Sequence, residues 1–169
     1  MAPALAAFAG RIDRLNTAIG RAAAWLALVI VLLQFALVVA RYVFGLGSIW
    51  LTETVVYANA ALFLLASAWT LRARGHVRVD IFYAQASPRA QAIVDLAGSL
   101  LLLLPFMLVL LFFSTPFALR SWAILERSQE SSGLPFVYLL KTLIPAFAVM
   151  MGLQGIAQAI RAAGALGQR

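Results

Sequence analysis

Long apolar stretches alternate with short polar segments along the chain. Four such stretches stand out, at residues 22–44, 54–71, 96–119 and 136–160. A bilayer core about 30 Å thick is crossed by roughly 20 apolar helical residues, and each stretch has about that length. The pattern therefore predicts an all-α membrane protein whose four transmembrane helices form one domain at residues 22–160.

The two ends of the chain are more polar than these stretches. Residues 161–169 form a short tail, and residues 1–21 combine small side chains with four charged ones: Arg11, Asp13, Arg14 and Arg21. This N-terminal pattern fits an amphipathic helix lying at the lipid headgroups, with a disordered tail as the alternative. Because the next stretch is long enough for a full span and no Ala-x-Ala site leads into a soluble domain, we expect a retained anchor rather than a signal peptide.

The composition excludes an ordinary soluble domain. Hydrophobic residues make up 64% of the 169 residues and charged residues 11%, whereas soluble domains carry about 25% charged residues. So few charges cannot cover the surface of a core in water, and we expect lipid to cover it instead.

The basic residues are distributed unevenly between the two sides of the membrane. Nine of the 13 bases lie on the side of the chain termini, whereas the other side is nearly neutral, with Arg41, Arg120 and Arg127 balanced by Glu53, Glu126 and Glu130. The positive-inside rule then predicts that both termini face the cytoplasm. Contacts with anionic headgroups account for the net charge of +7, so we expect membrane lipids and no nucleic acid as partners of these bases.

Enzymatic chemistry has no support in the sequence. The chain has no Cys and a single His, His76, so neither a thiolate or histidine metal site nor a pair of haem ligands is available. It also lacks the nucleophile-elbow, zinc-protease and phosphate-loop motifs. We expect no catalytic residue, no metal and no cofactor.

Lys141 is the one charged side chain placed deep in an apolar stretch. If the fourth helix starts near Pro135, Lys141 lies about 9 Å into it at 1.5 Å per residue. Its ammonium group either snorkels to the outer surface or pairs with Glu53 or another outer acid, which would fasten two helices together.

Two stripes of small residues predict close helix packing. One lies on the second helix at Thr54, Ala58, Ala61, Leu65 and Ala68, and the other on the fourth at Ala148, Gly152, Gly155 and Ala159. Small residues let helix backbones approach each other, either within this bundle or against another membrane protein.

Several short motifs resemble the small membrane subunit of the tripartite ATP-independent periplasmic (TRAP) transporters, the DctQ-type family. The motifs in chain order are Arg41-Tyr42-Val43-Phe44, Trp50-x-x-Glu53, Arg72-x-Arg74-Gly75-His76-Val77-Arg78-Val79-Asp80, Ser132-Gly133-Leu134-Pro135 and Ile144-Pro145. Their order and the four-helix topology extend the resemblance over residues 22–160. Thr52 departs from the family pattern, because many relatives carry a second acid there.

The resemblance implies a function in transport. In that family a periplasmic binding protein delivers a substrate, commonly an organic acid, to a membrane complex driven by a sodium gradient. The large membrane subunit holds the substrate and sodium sites, and the small subunit braces it. The implied partners are therefore the large membrane subunit, the periplasmic binding protein and membrane lipids, in the bacterial inner membrane.

Two groups of residues, all charged or titratable except Trp50, are candidates for contacts within this scheme. The outer group, predicted to meet another subunit or the binding protein, is Arg41, Trp50, Glu53, Glu126, Arg127, Glu130 and Lys141. The inner group, predicted to contact headgroups or to fix the angle between the second and third helices through Asp80 or Asp95, is Arg72, Arg74, His76, Arg78, Asp80 and Asp95. Intramolecular pairing and a solvated loop are the alternatives for the outer group.

Two other functions are compatible with the residues alone. One is an autonomous four-helix transporter or channel acting as an oligomer, and the other is an unrelated membrane assembly factor. A charge deep in the membrane is costly and usually functional, and apart from Lys141 the chain keeps its charges near the helix ends. This placement favours a supporting subunit over an autonomous transporter.

Overall fold

The computed structural model describes residues 3–77 and 83–167. These residues form four long helices: α1 (Pro3–Phe44), α2 (Ile49–Arg72), α3 (Pro88–Ala123) and α4 (Val137–Leu166). Each helix is long and apolar enough to cross a membrane. The predicted all-α fold with four membrane helices is therefore confirmed.

Successive helices run in opposite directions, so the bundle has two distinct ends. We use the label inner end for the end at which Pro3, Arg72, Pro88 and Leu166 lie, and the label outer end for the end that holds residues 45–48 and 124–136. Ion pairs between Asp13 and the bases Arg72 and Arg161 join α1, α2 and α4 at the inner end. A hydrogen bond between Glu53 and Leu134 joins α2 to the last connection at the outer end.

Helix α1 is much longer than its apolar stretch. Its 42 residues extend over roughly 63 Å at 1.5 Å per residue, about twice the thickness of a bilayer core. The N-terminal segment that could have been a separate interfacial helix or a disordered tail is instead continuous with the first span. Ala9 and Ile12 of this segment pack against Ala157 of α4, so this part of α1 lies against the bundle.

Helix α4 occupies the centre of the bundle. It contacts the other three helices and is the most buried of the four. The main core forms where Met150 and Met151 of α4 meet Ala68 of α2 and Met107 of α3. Both predicted small-residue stripes take part in this internal packing, with Ala58, Ala68, Ala148, Gly155 and Ala159 buried.

Two glycines mark the closest approaches between helices. A Cβ at Gly20 of α1 would lie 2.4 Å from the Cβ of Trp69 on α2. A Cβ at Gly155 of α4 would lie 2.8 Å from Cδ2 of Leu103 on α3. A side chain at position 20 would push α1 and α2 apart, whereas a side chain at position 155 would first displace the end of the Leu103 side chain.

Helix α3 contains a π-helical turn just before Pro105. The turn covers Gly98–Leu103, and the N–H of Leu104 bonds to the carbonyl of Ser99, five residues earlier. Proline lacks an N–H and its ring collides with the carbonyl four residues before it in a regular helix. The irregularity expected at Pro105 thus takes the form of a wider turn inside a continuous helix.

Helices α2 and α3 end in the same capping geometry. Arg74 follows α2 with φ 54° and Leu125 follows α3 with φ 45°. In each case the next amide, of Gly75 or Glu126, bonds to a carbonyl five residues back, which is the Schellman pattern. These caps fix the direction in which each connecting segment leaves its helix.

Candidate functional site

The outer end is organised around the carboxylate of Glu53. Its Oε2 accepts a hydrogen bond from the backbone N–H of Leu134 at 2.5 Å, and its Oε1 accepts one from the hydroxyl of Ser128. Ser128 and Leu134 also bond to each other through their backbones, N to O, at 3.1 Å. Glu53 on α2 therefore holds both sides of the outer loop, defined as residues 124–136.

Gly133 is required by this arrangement. A Cβ at position 133 would lie 2.3 Å from Oγ of Ser128 and 2.8 Å from Oε1 of Glu53. The glycine of the Ser132-Gly133-Leu134-Pro135 motif thus leaves room for the carboxylate to reach the loop.

Lys141 forms the second contact between the outer loop and the bundle. Its Nζ lies 2.5 Å from Oε2 of Glu126 and 4.3 Å from the centre of the Phe117 ring. Of the two alternatives for this lysine, pairing with an outer acid is the one found, and the acid is Glu126. The hydrogen bond from Lys141 lowers the pKa of Glu126 below its ordinary value, because it stabilises the charged carboxylate.

Other predicted outer residues are exposed around these contacts. Arg41 and Glu130 line one groove together with Glu53, and Trp50 is half exposed. Arg127 is exposed on the outer loop. The structure thus separates the outer candidates into an internally bonded set, Glu53, Glu126 and Lys141, and an exposed set, Arg41, Trp50, Arg127 and Glu130.

The inner end is organised around Asp13 of α1. Its Oδ2 lies 2.8 Å from Nη1 of Arg161 on α4 and 3.7 Å from Nε of Arg72 on α2. Arg72 also donates to the hydroxyl of Thr17 at 2.6 Å. One acid therefore ties three helices together at this end.

A buried pair of amides continues this network into the bundle. Gln154 of α4 donates to Oδ1 of Asp13 at 3.0 Å and accepts from Nδ2 of Asn16 at 2.8 Å. Asn16 also donates to the backbone carbonyl of Met150 at 3.4 Å. Both amides are fully buried, and their hydrogen bonds replace those that water would otherwise make, except at Oδ1 of Asn16, which has no partner among the described residues.

The predicted inner residues lie in several different environments. The imidazole of His76 is 3.3 Å from the carbonyl of Ser67, and Asp95 accepts from the hydroxyl of Tyr83 at 3.0 Å. Arg74 is exposed at the end of α2. Arg78 and Asp80 lie outside the described residues. The pairing proposed to set the angle between α2 and α3 stays a prediction.

Sequence reasoning missed the central members of the inner network. The sequence shows Asp13 only as one of the charges of residues 1–21, Arg161 only as one of the bases near the termini, and Gln154 as a polar residue inside an apolar stretch. Gln154 is adjacent to Gly155 in sequence but projects about 100° away from it around the helix axis, so the packing stripe of α4 does not predict that Gln154 is buried. Its partner Asn16 lies 138 residues away in sequence, and no local pattern indicates that contact.

The middle of the bundle carries no ionisable acid, base or histidine. Residues 22–40, 54–71, 96–119 and 142–160 contain no Asp, Glu, Lys, Arg or His. Within residues 3–77 and 83–167, no three His, Asp or Glu side chains are grouped so that they could hold a metal ion. The polar chemistry of the described chain is thus concentrated at the two ends, where it fastens helices and loops.

Comparison with protein families agrees with this architecture. The family model described as tripartite ATP-independent periplasmic transporters, DctQ component, matches residues 13–164. Comparisons with curated proteins and with solved structures gave no match. The matched range includes α2 and α3 in full, α1 from Asp13 onward and α4 up to Gly164, so it contains the bonded residues at both ends of the bundle. The chain therefore belongs to the DctQ component family, the small permease subunits of TRAP transporters, which are multi-pass transport proteins of the bacterial inner membrane and not a family of enzymes.

Proposed function

We propose that this subunit braces the large membrane subunit of a TRAP transporter while that subunit carries out sodium-coupled, binding-protein-dependent uptake of an organic acid or a similar solute. The observation that carries the proposal is the absence of Asp, Glu, Lys, Arg and His from the middle of the four apolar stretches. A protein that itself carries an ion or an anion needs such groups or broken helices near the midplane.

Two apolar faces are available for contact with a large partner. Helix α1 exposes Leu28, Leu32 and Phe35, which are spaced i, i+4 and i+7. Helix α3 exposes Leu101, Leu108 and Phe112, which are spaced i, i+7 and i+11. Each set forms a stripe along its helix. We propose that one stripe contacts the large subunit and that lipid covers the other.

Two triple-alanine variants test this assignment and serve as controls for each other. One removes the three α1 side chains and the other the three α3 side chains. The variant of the contacting stripe is expected to reduce copurification with the large subunit, and the other to leave it unchanged. Unchanged copurification in both variants would contradict a contact through these faces.

Reconstitution tests the bracing function itself. Proteoliposomes would contain this chain alone, the large subunit alone, or both, with the binding protein and a sodium gradient added. We expect uptake only from the complete set. Sodium-dependent uptake by this chain alone would favour the alternative of an autonomous transporter, and equal uptake without this chain would overturn bracing.

We also propose that the inner end, with both termini, faces the cytoplasm, as the excess of bases at that end suggests. The chain contains no cysteine, so single cysteines can be introduced without background. A membrane-impermeant maleimide is expected to label Ser131→Cys in spheroplasts and Gln85→Cys only after permeabilisation. The reverse labelling would overturn this orientation.

The exposed outer residues are proposed to meet the binding protein when it docks. Arg127 and Gln129 are exposed on the outer loop. The carboxylate of Glu53 on α2 fixes the position of this loop by accepting hydrogen bonds from Ser128 and Leu134. Photo-crosslinkers at these two positions are expected to give an adduct with the binding protein during transport. A crosslinking series through the loop without any such adduct would count against this contact.

A further inference from the structure

We propose that the inner end contains a binding site for one anionic phospholipid, with its phosphate beside Arg74 and Arg161 and one acyl chain in the adjoining apolar groove. The observations behind it are a polar cavity, a groove continuous with that cavity, and several positive groups that face the cavity.

The polar cavity lies where the ends of α2 and α4 meet the start of α3. Arg74, Arg161 and Gln158 line it together with Pro88 and Asp95. Basic pockets between transmembrane helices on the cytoplasmic side are typical sites for anionic headgroups.

Three positive groups converge on this cavity. Arg74 follows the last turn of α2, and within the described residues its guanidinium has no hydrogen bond or ion pair. Arg161 uses Nη1 for Asp13, and its guanidinium has further N–H groups to offer. Helix α3 begins at Pro88, and the positive end of its dipole lies beside the cavity, although Pro88 has no N–H and the N–H of Ala90 already bonds to the hydroxyl of Ser87.

The acids near the cavity have partners that moderate their repulsion of a phosphate. Asp95 accepts a hydrogen bond from Tyr83, and Asp13 is paired with both Arg161 and Arg72. Among the described residues, the guanidinium of Arg74 in the cavity wall is therefore still able to attract an anion.

An apolar groove continues from the cavity toward the middle of the membrane. Leu71, Tyr83, Asp95 and Gln158 line both spaces. Beyond them the groove follows α3 past Gly98 to Leu103, which is about 12 Å from Asp95 along a helix. A free phosphate would leave this groove empty, whereas a phospholipid fills both spaces with a charged head and an apolar chain.

The proposed function enters this inference in one respect: the proposed orientation of the chain decides which leaflet supplies the lipid. The binding site itself does not depend on that orientation. Binding is measured on the subunit alone, so a failure to brace the large subunit in reconstitution would leave the result unaffected.

The experiment compares two lipids that share acyl chains and differ in headgroup. The purified subunit is equilibrated with dioleoyl phosphatidylglycerol or dioleoyl phosphatidylcholine, and the lipids retained per protein are counted by native mass spectrometry. We expect one phosphatidylglycerol to be retained in preference, and excess inorganic phosphate to leave it in place. Equal retention of both lipids, or displacement by phosphate, would overturn the proposal.

Two pairs of matched variants locate the site. Arg74→Gln is expected to lower the preference for phosphatidylglycerol about fivefold, the effect of one basic residue at an anionic surface. Arg14→Gln, an exposed arginine at the same end, is expected to change nothing. An equal loss in both variants would indicate diffuse attraction and contradict a defined site.

The second pair tests the groove. A Cβ at Gly98 or at Gly10 would meet no atom within 4 Å, but only Gly98 lines the groove. Gly98→Leu is expected to reduce retained lipid, and Gly10→Leu to leave it unchanged. Wild-type retention in a folded Gly98→Leu variant would overturn the acyl-chain assignment, and if that variant fails to fold, the Arg74 comparison decides alone.

Discussion

The backbone N–H of Leu134, in the outer loop, donates a hydrogen bond to Oε2 of Glu53 on α2 at 2.5 Å. The other carboxylate oxygen accepts from the hydroxyl of Ser128 in the same loop. The sequence alone makes Glu53 a candidate interface residue, but in the structure its carboxylate is hydrogen-bonded within the chain. Glu53 therefore affects a partner only indirectly, because its hydrogen bonds set the shape of the loop that the partner would contact.

Replacing Glu53 with alanine is expected to loosen this loop. Two donors lose their acceptor, which lowers the free energy of unfolding by about 1–3 kcal/mol. Unfolding in detergent followed by tryptophan fluorescence measures the change, and limited proteolysis locates it in the outer loop. Glu130→Ala, at an exposed position of the same loop, is the control and is expected to stay within about 0.5 kcal/mol. Equal stability of the two variants would show that the Glu53 contacts contribute nothing.

Gly133→Ala should be destabilising for a steric reason. The added Cβ would lie 2.3 Å from Oγ of Ser128 and 2.5 Å from its Cβ, so the loop or the Glu53 carboxylate must move. Gly47→Ala is the matched control, because a Cβ there would meet nothing within 4 Å. We expect a lower melting temperature and faster cleavage of the outer loop for Gly133→Ala only. A normal melting temperature for this variant would contradict the close approach of Glu53 to the loop.

The contact between Glu126 and Lys141 is expected to make stability depend on pH. The hydrogen bond from Lys141 lowers the pKa of Glu126 in the folded protein. Such a group stabilises the fold above its unfolded pKa of about 4.3, and the contribution disappears as the pH falls through the lowered folded value. The melting temperature of the wild type should therefore exceed that of Glu126→Gln at pH 7, and the two should converge in acid. A difference that persists unchanged in acid would assign the effect to something other than this charge.

The sequence predicts the helices of this protein better than its polar contacts. Each transmembrane span is a run of apolar residues, and comparing the length of the run with the thickness of the bilayer core is enough to identify it. The depth of Lys141 predicts either snorkelling to the outer surface or pairing with an outer acid, and the pairing is the alternative found. In contrast, the partner of Glu53 is a backbone amide 81 residues away, and a backbone amide has no sequence signature. The sequence does not predict that α1 is one continuous helix from Pro3. The side of residues 3–21 that is buried is defined by packing against α4, and no local pattern indicates that contact.

The pair formed by Asn16 and Gln154 offers the most direct test of the inner network. Both side chains are fully buried and joined by a 2.8 Å hydrogen bond. Either single replacement by leucine leaves the other amide without that partner, so each is expected to lower the free energy of unfolding by about 1–3 kcal/mol. The double variant is expected to cost less than the two singles together, with a coupling energy of about 0.6–1.7 kcal/mol if the bond behaves like others between membrane helices. Gln34→Leu, an exposed glutamine on α1, controls for the change of residue type and should have no such effect. Strict additivity of the two replacements would mean that Asn16 and Gln154 do not act together in holding α1 to α4.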